Sequence, residues 1–264
     1  MKREAILIMG MIITASLCCA QKRDTVYIHQ NNIETHSLKE GKSVYLVYFK
    51  MTKDAPRTMT QFWTRKVKKE TVAGKDILEI TQSWEGKDSL LHTSKSICDA
   101  KTFRPLFHEN WWNLLNGTKS ASVFDYVTRK AVIDGKDISQ DTTAKGRQRH
   151  SSFLKATDVY NLNWHLDLEI FTVLPLALHK TFVIPFYNPG FSEPKNIFYT
   201  VINEGKLTGY DQNEVDCWIL QHESKDNTEQ YWISKKTKEV LKLEQEVNGK
   251  IYRYKIRLGF WDNN

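Results

Sequence analysis

The stretch Tyr231–Leu258, YWISKKTKEVLKLEQEVNGKIYRYKIRL, decides how the chain is read. From Leu241 to Val247 apolar and polar residues alternate, with Leu241, Leu243 and Val247 on one side and Lys242, Glu244 and Glu246 on the other. Asn248-Gly249 then marks a tight hairpin, because a two-residue type I′ turn requires positive φ at both central positions. Beyond it Tyr252, Tyr254, Ile256 and Leu258 alternate with Arg253, Lys255 and Arg257. The expectation is a hairpin with Tyr252 and Tyr254 on the side of Leu243 and Val247, and with the cations in water. A lone hairpin is marginal in water, so further strands must flank it.

Working backwards, the same alternation recurs along most of the chain. Strands are expected at Ser43–Met51, Met59–Thr71, Asp76–Trp84, Ser89–Asp99, Arg104–Asn113, Ser120–Tyr126 and Ala131–Ile133. Phe182–Phe186, Ile197–Asn203, Val215–Glu223 and Gln230–Ser234 continue the series to the final hairpin. Gly-Lys stands between such runs at Gly41, Gly74, Gly86, Gly135, Gly205 and Gly249, half of the 12 glycines. Glycine there supplies the φ that tight turns need, and the spacing is irregular, so the pattern is a meander and not a propeller or solenoid. About a dozen strands exceed what an open twisted sheet holds without curling.

Two central stretches break the pattern. Asp137–Ser152, DISQDTTAKGRQRHSS, is polar throughout and reads as a loop. Leu162, Leu166, Ile170, Leu174 and Leu178 then fall on one helical stripe, ended or kinked by Pro175, and predict a short helix able to plug or cover the sheet. On such a helix His165, Asp167 and Glu169 spread around the axis as solvated side chains. On a strand they would share a face and could do acid–base work.

The first twenty residues form a separate unit. Lys2 and Arg3 precede an apolar run from Ala5 to Leu17, and Cys18-Cys19-Ala20 supplies small residues before Gln21. This is the pattern of a secretory signal peptide. A lipid anchor on Cys18 or Cys19 fits less well, since the residues before each depart from a lipoprotein site, and soluble export is preferred. The expected organisation is a signal peptide over 1–20, a loosely attached lead-in over 21–42 and a single β-barrel-like domain over 43–264. No later segment is long and apolar enough to span a membrane. Removing Lys2, Arg3 and Glu4 lowers the net charge from +7 to +6. The basic residues are dispersed along strands and turns, which argues against a nucleic-acid partner.

Cys98 and Cys217 remain in the mature chain. Export allows them to form a disulfide, and burial as two free thiols is the equal alternative. Phosphate loops, HExxH, CxxC and GxSxG patterns are absent, and the eight histidines are scattered, so no catalytic residue, metal site or cofactor is assigned. The aromatic content, 8 Trp, 11 Tyr and 12 Phe, is the better lead. Core packing is the ordinary role of such residues. The functional alternative is a cavity for a lipid-like or other apolar molecule, lined by Trp84, Trp164, Phe171, Trp218 and Trp232.

Several segments carry a resemblance. Asp158-Val159-Tyr160, Phe182–Phe186, Asp216-Cys217-Trp218, Tyr231–Ser234, Leu241–Glu244 and Tyr254–Leu258 resemble a family of exported bacterial proteins of unknown function. That family is itself similar in fold to the periplasmic lipoprotein-localisation carriers. The resemblance implies a mainly β fold: a curled antiparallel sheet forming a half-open β-barrel with one short helix in its concave side. It also implies acyl-chain binding there, and a non-enzymatic periplasmic or envelope binding protein. A solidly packed envelope interaction protein is the alternative, and a glycan hydrolase using paired carboxylates is a third.

Overall fold

A computed structural model describes residues 24–114, 116–209 and 212–259. The signal-peptide reading of residues 1–20 lies outside them. In chain order the strands are β1 (Thr25–Tyr27), β2 (Gly41–Lys50), β3 (Thr58–Val72), β4 (Lys75–Glu85), β5 (Leu90–Asp99), β6 (Pro105–Asn113), β7 (Lys119–Asp125), β8 (Lys130–Ile133) and β9 (Lys136–Asp137). Helix α1 (Ala144–Asp158), β10 (Leu162–Asn163) and helix α2 (Asp167–Thr172) follow. The chain ends in β11 (Thr181–Tyr187), β12 (Lys195–Thr208), β13 (Glu214–Ser224), β14 (Asn227–Ser234), β15 (Val240–Val247) and β16 (Ile251–Leu258).

These strands make one large sheet that does not close, in the order β1-β11-β12-β13-β14-β15-β16-β2-β3-β4-β5-β6-β7-β8-β9, with β10 beside β11. Two antiparallel meanders, β2 to β9 and β11 to β16, meet where β16 pairs with β2. Tyr254 stands opposite Tyr48 there, and Lys255 opposite Val47. The expected strands all form, with ends shifted by a few residues, because alternation is a local signal; of the Gly-Lys positions expected at turns, Gly41 and Gly205 instead lie within β2 and β12. Asn248 (φ 54) and Gly249 (φ 63) both take the left-handed region.

The final hairpin corrects the expectation about its sides. Its closing pair is Val247 with Ile251, so the loop holds Asn248, Gly249 and Lys250, three residues and not two. Leu243 therefore pairs with Lys255 and Gln245 with Arg253, while Tyr254 pairs with Glu244 and Tyr252 with Glu246. A one-residue change of register turns every side chain over. Tyr252 and Tyr254 point away from Leu243, and Lys255 is buried at 3 % exposure beside it. Tyr254 instead stacks on Tyr48 with ring centres 5.0 Å apart, and the Arg57 guanidinium covers Tyr48.

The polar stretch after Asp137 is also corrected. It contains a 3-10 turn at Ile138–Gln140 and then the 15-residue helix α1. The Thr143 side chain caps α1 by accepting from the Gly146 N–H at 3.0 Å. Only a narrow stripe of the helix is buried, chiefly Gly146, Phe153 and Ala156. Phe153 packs on Phe124 and Tyr126, forming a satellite core with Ala131, Ile138 and Tyr187. Helix α2 occurs where a short helix is expected, but it spans six residues and all six are buried. The stripe does not extend to Leu178, which is exposed.

The lead-in is tied down more firmly than expected. β1 pairs in parallel with β11, Ile28 and Leu38 enter the main core, and the Glu34 N–H donates to the Val173 carbonyl at 2.8 Å. That core is dominated by α2 and its flanks (Leu166, Leu168, Ile170, Phe171, Val173 and Leu174) against apolar residues of the sheet.

Candidate functional site

Helix α2 carries two carboxylates into this core. Asp167 and Glu169 are each 5 % exposed, which overturns the reading of them as solvated side chains. Burying such charges is tolerated only with partners, and strands from both meanders provide them. Arg65 on β3 grips Glu169 through Nε at 2.7 Å and through a second bond from Nη2. The same guanidinium donates to the His165 carbonyl at 3.0 Å and to Gln82 Oε1 at 3.1 Å, and lies 3.8 Å from Asp167. Gln82 Nε2 in turn donates to the His165 carbonyl at 2.7 Å.

Lys255 on β16 completes the set, donating to Asp167 Oδ2 at 3.2 Å while its ammonium lies 4.7 Å above the Trp63 ring. Burial pulls the Lys255 ammonium down to about 8, against the attraction of Asp167. Burial alone would raise the Asp167 carboxyl, but Lys255 and Arg65 outweigh it and hold it below the ordinary carboxylate range. Further along β16, Arg257 pairs with buried Glu239 at 2.8 Å.

A ring cluster adjoins this network. Trp63 stacks on Trp84 with centres 3.7 Å apart, and Trp84 meets His92 and Trp112 edge-on. His92 stacks on Trp112 and lies 5.7 Å from His165, which is 4.9 Å from His108. Burial lowers all three histidines, His92 to about 3 and His165 to about 4, with neighbouring charge adding to the effect on His92. They are therefore neutral at ordinary pH. His108 bonds Ser96 at 2.8 Å and Asn110 at 3.2 Å, inside the core. Among the described residues no group of three or more His, Cys, Asp or Glu is arranged to hold a metal ion.

A cavity of about 320 Å³ opens beside Trp164, whose ring lies 6.3 Å from that of His165. Trp164, Phe186, Ile197 and Tyr199 form apolar walls, and Glu229, Gln245, Asn227, His222 and Lys195 contribute polar groups. Glu229 on β14 is 4 % exposed. Gln245 Nε2 donates to its Oε1 at 2.9 Å, and the Tyr231 and Tyr199 hydroxyls to its Oε2 at 3.1 and 3.4 Å. Burial raises both tyrosines, and Glu229 raises them further, so their hydroxyls stay protonated as donors. A larger groove, about 780 Å³, lies along β2 to β7. Most of its lining, including Thr64, Thr81, Ser83, Thr93 and Trp111, alternates with the buried Arg65, Gln82, Ser94 and Asn110 and so belongs to the reverse face, although Gln82, Ser94 and Asn110 border the groove as well.

The five expected lining residues do not meet in one place. Trp164 borders the 320 Å³ cavity. Phe171 is fully buried and packs solidly on Tyr199 and Tyr231, at 4.8 and 4.6 Å between centres. Trp84 belongs to the ring cluster, while Trp218 and Trp232 are capped by Lys235 and Lys242. Cys98 and Cys217 are free, buried thiols on β5 and β13, strands separated by six others in the sheet. Sequence reasoning missed Arg65, Lys255 and Glu229, since each sits in a strand where alternating charge reads as a solvated face. The available signal was the pair of acids inside the apolar run 162–178, which cannot be buried without cations.

Fold and site together define a mainly β protein whose sheet interior carries a helix-borne ion network and a separate walled cavity. The chain belongs to the family described as "Protein of unknown function (DUF3108)", which matches residues 44–257. No curated protein matches it. Among the described residues no helix is long and apolar enough to cross a membrane.

Proposed function

We propose that this chain is an exported, non-enzymatic binding protein for a small molecule with an apolar body, and that the 320 Å³ cavity beside Trp164 is its site. The observation carrying this reading is the cavity's make-up: apolar walls from three aromatic rings and Ile197, with a few convergent polar groups at a size in the range of small-molecule sites. The same proposal takes the sheet as a half-open barrel curled around α2. Arg65 on β3 and Tyr199 on β12 are six strand spacings apart in the sheet order, ~29 Å if the sheet were flat. Yet they touch Glu169 and Phe171, only two positions apart on one helix. A bent sheet supports this reading, in which α2 takes the concave side where the carriers hold an acyl chain.

The test is a titration with N-phenyl-1-naphthylamine, an uncharged fluorescent probe. Saturable binding at one site is expected, and Ser192→Trp, which places a ring in the cavity, should abolish it without unfolding the protein. No saturable binding, or equal binding by the variant, refutes the site. Export predicts cleavage after Ala20, read as the intact mass of protein recovered from the envelope fraction. A second reading, an envelope interaction protein with a solid core, is favoured by the filled space around α2 and by the 780 Å³ groove on the reverse face.

A further inference from the structure

The buried carboxylates of this protein are not all treated alike. Glu169 is held by Arg65, Asp167 by Lys255 at 3.2 Å and Glu239 by Arg257 at 2.8 Å. Glu229 is buried to the same degree, yet among the described residues no Lys, Arg or His nitrogen forms an ion pair with it within 4.0 Å. Its three partners, Gln245, Tyr231 and Tyr199, are neutral donors. A carboxylate offers about four acceptor positions, so one is left over. Neutral donors orient a buried carboxylate but supply no countercharge, and a buried charge without one is expensive.

The other charged groups nearby do not fill the gap. Lys195 is exposed at the edge of the cavity. His222 is engaged through Nδ1 with the Phe198 carbonyl at 2.9 Å. Arg253, opposite Gln245 on the neighbouring strand, faces the same side with its Nε buried and its charge acting on Tyr199 and Tyr231, but among the described residues it forms no ion pair with Glu229 and it is not part of the cavity lining. Around Glu229 the walls are Trp164 and Tyr199, whose ring faces attract cations.

We infer that the missing countercharge belongs to the ligand: the cavity takes a small organic cation, an ammonium on an apolar or aromatic body, with its N–H groups on Glu229. This rests on the cavity being the binding site, and the experiment separates the two. Wild-type protein and Glu229→Gln are titrated at pH 7 with 2-phenylethylamine, 2-phenylethanol and 3-phenylpropionate, which share a body and differ in charge. The amine should bind at least ~10-fold tighter than the alcohol, the size of one charge-assisted hydrogen bond. Glu229→Gln should bring the two within about twofold by weakening the amine and not the alcohol, with the far-UV circular dichroism spectrum of the variant showing that it folds. Equal or tighter binding of the alcohol or the carboxylate, or a preference that survives Glu229→Gln, overturns the inference and leaves the site standing. If the naphthylamine probe and all three phenyl compounds fail to bind, site and inference fall together.

Discussion

Replacing Arg65 by methionine tests whether the ion network at α2 is what holds the helix against the sheet. Methionine keeps much of the arginine stem, so the packing loss is small. What disappears is the only cation bonded to Glu169 among the described residues, together with hydrogen bonds to the His165 carbonyl and Gln82. Breaking a buried pair from one side costs about 3–5 kcal/mol, because the remaining charge stays buried and alone. Against a typical total of ~5–15 kcal/mol this is roughly a fifth of the stability or more. Removing both charges in Arg65→Met/Glu169→Leu should restore most of it, to within ~2 kcal/mol of the wild type or beyond. Asp167 keeps Lys255 and the His165 carbonyl keeps Gln82 at 2.7 Å, while buried Gln82 Oε1 loses its Arg65 donor, which is why ~2 kcal/mol is allowed. Urea unfolding of the wild type, both single variants and the double variant at pH 7 gives the coupling energy. If Arg65→Met lies within ~1 kcal/mol of the wild type, or the double variant is no better than Arg65→Met, the network is not load-sharing and the reasoning fails.

Acid should weaken the fold from well above the carboxylate range. His92 and His165 titrate near 3 and 4 when folded against about 6.5 when unfolded, so the unfolded chain binds more protons below pH 6.5 and stability falls as pH drops through that window. Asp167, held low in the fold, extends the loss below its unfolded value of 3.8. A urea midpoint unchanged between pH 7 and 4.5 would contradict this, and His92→Phe should flatten part of the slope. Gly146→Ala should destabilise α1 although alanine favours helices, because the new Cβ would lie 2.0 Å from Asp141 Cγ; a stability gain in thermal melts rules the clash out. Deleting Lys250 makes the last hairpin loop two residues long, and should either turn Lys255 and Arg257 outward or strain the loop. A loss above ~4 kcal/mol is expected, while Lys250→Ala stays within ~0.5 kcal/mol, and equal stability of the two variants refutes the register argument.

Most strands were legible because the features that specify them are local. Period-two alternation and glycine at turns do not depend on what a strand packs against, and Asp76–Trp84 or Val215–Glu223 needed nothing more. Helix α1 was hidden for the opposite reason. A helix that covers a sheet with one phenylalanine, an alanine and a glycine leaves the rest of its surface in water, and its composition is that of a loop. Its cap was in the sequence, but Thr143 and Asp141 are equally at home in a turn. The stripe from Leu162 to Leu178 was overread because Pro175 and the burial of every residue of α2 shorten what a clean periodicity would extend.

The sidedness of β16 is the instructive failure, since the strand itself was right. Alternation places residues on two faces but does not say which face is inside; that choice was made by assuming cations prefer water. Here the inner face is chosen by partners far away in sequence: Asp167, 88 positions from Lys255, and Glu169, 104 from Arg65. Two acids in an apolar segment create a demand for cations that only an inward-facing charged strand can meet. Lys255 on β16 and Arg65 on β3 are the residues that meet it, while Arg257 on β16 meets the buried Glu239. The three-residue loop at Asn248–Lys250 is how the chain delivers them, because one extra residue exchanges Tyr254 for Lys255 beside Leu243. Charge balance across the whole chain therefore decides a register that local turn chemistry alone leaves open. By the same balance Glu229, the buried acid with no ion pair among the described residues, is where a partner from outside the chain is to be sought.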